Sequence, residues 1–146
     1  MRLRRSSNQR ILLLAAIAGL LLVAIGLTRT APPATIPVRT VENWLHHVDA
    51  LDADASWKEA SSFFQQKLTR EKWETILKTT RTPIGPVLTR RHTVTQYASR
   101  LPGIPDGTYA LLQFHSTFTG KESAIESVVF SKEPDGHWRA LGYSMT

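Results

Sequence analysis

Val41, Trp44, Leu45, Val48 and Leu51 fall at i, i+3, i+4, i+7 and i+10, with mostly polar residues between them. That spacing predicts one face of a helix, with Thr40 as its N-cap and Glu42 in the first turn. Asp52-Ala53-Asp54 breaks the pattern. Ser56-Trp57-Lys58-Glu59 then reads as a capping box, opening a second helix that turns Trp57, Ala60, Phe64 and Leu68 toward a core. Thr69 is placed to cap a third, REKWETILKTT, with Trp73, Ile76 and Leu77 on its buried stripe. Pro83, Gly85 and Pro86 end it.

After Val87 the periodicity changes from helical to alternating. Residues 89–97, 108–118, 122–133 and 137–145 are rich in Thr, Val, Phe and Tyr, and turn signals separate them. Thr119-Gly120-Lys121 and Pro134-Asp135-Gly136 are short connections, so consecutive strands should be antiparallel neighbours. Three helices followed by four meandering strands predict an α+β fold, with the helices covering one face of a four-stranded antiparallel sheet. On the strand 108–118, Ala110, Leu112, Phe114 and Phe118 would meet the helices, while Tyr109, Leu111, Gln113, His115 and Thr117 share the other face. The segment LPGIPDG, 101–107, joins two long strands, and its proline, aspartate and glycine content reads as a turn.

The residues before the domain have a different character. Ile11 to Leu27 are 17 positions with no charge and no proline. At about 1.5 Å per residue they span roughly 25 Å, the short end for a bilayer core of about 30 Å. A cleaved signal peptide and a retained anchor both start this way. Cleavage after Ala31 would put Arg29 at −3 and cleavage after Ala34 would put Pro32 there, so the anchor is the better reading. Four arginines precede the run and one follows, which places residues 1–10 in the cytoplasm and the domain outside. The expected organisation is a basic segment 1–10, a transmembrane signal-anchor helix 11–27, a proline-rich linker 28–39 and a domain 40–146. The lipid bilayer is thus the first expected partner.

Charge and composition remove several function classes. The sequence has a net charge of +6, with 18 basic and 12 acidic residues. Five of the basic ones (Arg2, Arg4, Arg5, Arg10, Arg29) lie in the first 29 positions and no acid does, so the domain is close to neutral. A neutral domain lacks the electrostatic footprint of a nucleic-acid binder. Cysteine is absent, which excludes disulfides and thiolate metal sites. His46 and His47 are adjacent, so their rings diverge by about 100° on a helix and do not form a metal pair. No HExxH, GxSxG or phosphate loop is present. Neither a metal nor a cofactor is expected.

Three constellations remain. Trp44, Trp57 and Trp73 lie on the apolar stripes and read as core. Arg90-Arg91-His92 alternates between strand faces, and although Lys78 and Arg81 are able to join one of the arginines, a solvated surface is the simpler expectation. The third is on the sheet: His115, Glu126, Tyr109 and Gln113 are the candidate ligand-binding residues. A two- or four-residue hairpin loop at Gly120 would put Glu126 on the face of His115, where the pair is able to move a proton. A three-residue loop would separate them. No catalytic residue is assigned.

The segments WLHHVDALDADASWKEASSFF, TREKW, TRTPIGPVLTRR, LPGIPDGTYALLQF and DGHWRALGY resemble a bacterial family known as domain of unknown function 4019, over about 41–143. They also resemble the wider NTF2-like, cystatin-like superfamily. A glycine-aspartate-aromatic turn common there stands here as Ala53-Asp54-Ala55. The resemblance implies helices packed into a curved sheet around a conical pocket, in the periplasm or at the cell exterior of a bacterial inner membrane. It implies no activity. The expected function is a non-catalytic module that binds a protein or envelope component; the alternative is an NTF2-like pocket that binds or transforms a small apolar molecule.

Overall fold

The computed structural model describes residues 35–146. The basic segment, the anchor and the start of the linker lie outside the described residues. No helix among the described residues is long and apolar enough to cross a membrane.

Four helices precede the sheet: α1 (Val38–Asp49), α2 (Ala53–Lys58), α3 (Ser62–Lys67) and α4 (Arg70–Arg81). A 3-10 turn (Thr82–Ile84) follows, then β1 (Val87–Ala98), β2 (Tyr109–Phe118), β3 (Lys121–Lys132) and β4 (Trp138–Met145). The strands pair antiparallel in the order β1-β2-β3-β4. The α+β arrangement is therefore the expected one, with four helices in place of three.

Two helix starts differ from the sequence reading. α1 begins before Thr40, with Pro37 at its N-cap and no side-chain cap; the Thr40 N–H donates to Pro37 O at 2.9 Å. The expected second helix is divided. Ser56 is not its cap but lies buried inside α2, which Asp52 caps by accepting from the Ala55 N–H at 2.9 Å. The chain leaves helical geometry at Ala60 because the sheet competes for it: Ala60 bridges to Ala140, and the Ser61 N–H donates to Ala140 O at 2.7 Å. Ser61 then caps α3 through its hydroxyl. Thr69 caps α4 as expected.

The helices and one sheet face enclose the main core, in which Trp44, Leu45, Phe114, Leu112 and Phe130 are fully buried. Ser56 organises the tryptophans. Its carbonyl accepts the Trp44 indole N–H at 2.9 Å and its hydroxyl accepts that of Trp73 at 2.8 Å. A buried indole without such a partner would leave a polar group unpaired. The two rings stack at 6.0 Å, which ties α1 to α4. The carbonyl of Leu68 serves Trp57 in the same way at 2.7 Å.

A second, smaller cluster lies on the opposite sheet face, where Leu101, Tyr109, Leu111, Val129 and Leu141 are buried together. The 101–107 segment is thus more than a turn. It folds back over the sheet, with Leu101 in the cluster, the Gly107 N–H donating to Ser99 O and the Tyr109 hydroxyl donating to Pro105 O. Gly103 takes a positive φ of 74° in open space. Gly107 is needed for a different reason: a Cβ there would stand 2.9 Å from the Tyr109 hydroxyl oxygen and 3.1 Å from the ring.

The sheet's two edges differ. β1 carries irregularities around Leu88 and Thr93, and β4 is bonded along its outer side by Ala60 and Ser61.

Gly107→Val is expected to destabilise the domain by about 1–3 kcal/mol, the usual cost of overpacking. Thermal unfolding of the variant beside the parent chain checks it, and an unchanged midpoint would contradict the close approach of Tyr109.

Candidate functional site

The chemically loaded part of the domain lies where the ends of α1 and α4 meet the sheet. Asp49 is the last residue of α1 and Arg81 the last of α4. Arg90 comes from β1, Ser116 from β2, Glu126 from β3 and Tyr143 from β4. Six elements thus contribute one side chain each. Glu126 is completely buried and Arg81 is 3% exposed.

The geometry is that of a closed quartet. Arg90 lies between both carboxylates. Its Nε and Nη2 donate to Glu126 at 2.7 and 3.1 Å, and its Nη1 and Nη2 to Asp49 at 2.7 and 2.8 Å. Arg81 donates to Glu126 at 3.0 Å, to Asp49 at 2.7 Å and to the Tyr143 hydroxyl at 3.0 Å. Glu126 also accepts from the Ser116 hydroxyl and, at 2.8 Å, from Tyr143. The Arg81 guanidinium carbon stands 4.5 Å over the Phe118 ring, while its Nε has no partner among the described residues.

Such forked pairing is the strong form of the charge-assisted hydrogen bond. Burial depresses the acidity constant of Arg90, but its bonds to Asp49 and Glu126 outweigh this and hold it above the ordinary arginine value. Burial, followed by the Glu126 charge, pushes Tyr143 far above the usual tyrosine range, against the smaller opposing pull of Arg81. The two guanidinium groups occupy the carboxylates that would otherwise ligate a cation. Among the described residues no group of three or more His, Asp or Glu gathers as a metal site would.

Glu126 is not beside His115, and the reason is a bulge. The hairpin loop has two residues, and Phe118 pairs with Lys121, which taken alone would put Glu126 on the face of His115. The register then shifts between Phe118 and Ser116, so that β3 supplies one extra residue. Beyond it His115 pairs with Ile125 and Phe114 with Glu126. One inserted residue sends Glu126 to the helix face.

The other three candidates share the face away from the helices, as their alternation predicts. His115 is half-buried with Nε2 at 3.1 Å from Ser123 Oγ, Gln113 donates to the Ser127 hydroxyl at 3.3 Å, and Tyr109 is buried beneath the 101–107 segment. The structure therefore brings Tyr109, Gln113 and His115 together in a row and parts them from Glu126. Arg81 and Arg90, expected in solvent, are the chief correction: they meet on the inner face. A signal was present. Arg81 stands four residues after Leu77 and eight after Trp73, on the buried stripe of α4, and Glu126 alternates with Ala124 and Val128.

The family described as "Protein of unknown function (DUF4019)" matches residues 40–143. The chain belongs to it. No curated protein and no solved structure matches the chain. Membership in DUF4019 thus covers the domain from α1 to Tyr143, the quartet included, and brings no assigned activity with it.

Two outcomes check this site. Glu126→Gln leaves two buried cations facing one carboxylate and is expected to cost about 3–5 kcal/mol in urea unfolding. The folded Tyr143 keeps its proton where the unfolded chain, above about pH 10, releases it. Its contribution is therefore fully present below that pH and is lost as pH rises toward the folded value. Stability measured from pH 9 to 11 should fall more steeply in the parent chain than in Tyr143→Phe.

Proposed function

We propose that this chain is a membrane-anchored, extracytoplasmic binding module without catalysis, built on the NTF2-like plan and held off a bacterial inner membrane by its proline-rich linker. One observation carries the non-catalytic part. On the inner face, where that plan would put a reaction chamber, each ionisable group is already occupied. Asp49, Glu126, Arg81, Arg90 and Tyr143 bond one another, and the His92 ring bonds Val94 O and Thr95 Oγ1. General acid–base work needs a group free to exchange a proton with a substrate. The uncharged run Ile11–Leu27 and its flanking arginines support the anchor. The near-neutral domain supports a protein or envelope component, not nucleic acid, as the partner.

A second reading is favoured by one feature. A cleft of about 330 Å³ opens beside Trp44, Phe130 and Trp138, at the margin between helices and sheet. It has the aromatic wall that a small apolar ligand would use.

Two experiments on native membranes decide between these. After alkaline carbonate extraction the chain should stay in the pellet with residues 1–34 intact by mass; a soluble species beginning near Ala31 or Thr35 would sink the anchor. Crosslinking in intact cells should then recover a protein or envelope partner. Recovery of a co-purifying apolar small molecule without such a partner would turn the assignment to the pocket.

A further inference from the structure

On the sheet face away from the helices, the segment after Leu101 and helix α3 form the walls of a cleft of about 360 Å³. Phe63, Ile104, Tyr109 and Leu141 make its apolar surface. Two carboxylates stand on it, Asp106 from the 101–107 segment and Glu133 just past β3.

Glu133 is held in place. The Ser62 hydroxyl donates to one of its oxygens at 3.1 Å and the Ser131 hydroxyl to the other at 2.8 Å. A carboxylate offers about four lone-pair sites, so two single bonds orient the group and leave acceptor capacity. Asp106 is joined to Arg100 at 3.1 Å, but those side chains are 70% and 82% exposed. A pair so open to water is weak and exchanges readily. Lys132 is the cation on the lining, facing two acids. The Tyr109 hydroxyl registers the balance: burial first, then the charges of Asp106 and Glu133, raise it above the usual tyrosine value. The cleft is therefore an apolar slot with negative potential.

We propose that this cleft receives a lysine or arginine side chain from an extended basic segment of a partner protein. The alkyl stem lies on Phe63 and Ile104, and the cationic head reaches Glu133 and Asp106. The inference rests on the binding-module reading and names the chemistry of the partner. Long cationic side chains join an apolar stem to a charged head, which is the combination the slot offers. Its volume is near the lower end of the roughly 300–1,000 Å³ of small-molecule sites, a size for a side chain or two. The acids of the inner face do not compete for that cation, because Arg81 and Arg90 already hold both of them.

The test uses the isotope-labelled full chain in detergent micelles, titrated with acetyl-Leu-Lys-Leu-amide and, separately, with acetyl-Leu-Glu-Leu-amide. The lysine peptide should shift the methyl signals of Ile104 and Leu141, and the glutamate peptide should leave them in place. Glu133→Gln should weaken lysine-peptide binding about tenfold, through loss of a charge-assisted hydrogen bond. Asp106→Asn should weaken it by a smaller factor, and binding should fall as salt rises. Asp106 is exposed, so that variant keeps its fold and carries the test even where Glu133→Gln lowers the unfolding midpoint. Equal responses to the two peptides, shifts confined to other residues, or unchanged affinity in both variants would overturn the proposal. A dimer whose formation displaces the peptide would assign the cleft to a second copy and overturn it as well. If the lysine peptide fails to bind while crosslinking still captures a protein partner, the cleft proposal falls and the binding-module reading stands.

Discussion

Four charges held out of water at the junction of helices and sheet constrain everything around them. Taking an ion from water into a protein interior costs several kcal/mol, and the cost is offset only when all partners are present in good geometry. Asp49, Arg81, Arg90 and Glu126 satisfy that condition only with the ends of α1 and α4 at one depth and β3 at one register against β2. A one-residue slip of β3 would turn Glu126 to the opposite face and strand both arginines. The apolar core tolerates small shifts; the quartet does not. Helix polarity adds to this interdependence. Arg81 sits at a helix C-terminus, where the dipole favours a cation, whereas Asp49 sits at another, where the dipole disfavours an anion and the arginines must compensate.

The two faces of the sheet consequently differ in what they leave available. On the inner face charge is matched to charge, and aromatic side chains fill the remainder of the core. On the outer face the covering is partial. A folded-back segment and one aromatic residue of α3 shield the end near Tyr109, while the row from Gln113 to Thr117 is only half-buried. Rigidity and availability are thus assigned to opposite sides of the same strands, and β2 serves both by alternation.

Much of this was legible from periodicity. Helix stripes, strand segments and the division of β2 residues between two faces follow from spacings of 3.6 and 2, and these hold wherever neighbours do not interfere. The failures are instructive because each is a long-range effect. Ser56 looks like a helix cap locally, but the indole of Trp73 claims its hydroxyl from 17 residues away. Ala60 looks helical until β4 offers it a bridge. Glu126 changes face because of one extra residue in β3, which no local rule announces. Arg81 and Arg90 read as surface residues because a single arginine normally is one; only the joint presence of Asp49 and Glu126 makes their burial possible. The cleft between α3 and the 101–107 segment was out of reach altogether, since its walls lie some forty positions apart and meet only through the sheet.

The treatment of the sheet's edges has a consequence for the chain in a crowd. An open strand edge is a template on which another chain can add, and repeated addition leads to fibrils. Here β1 is bent by two irregularities, around Leu88 and Thr93, and carries Arg90 and Arg91 with no acid, so two such edges brought together would repel. β4 is already occupied by the backbone of Ala60 and Ser61. A domain without a free template can be packed densely, side by side, and still remain a collection of separate molecules.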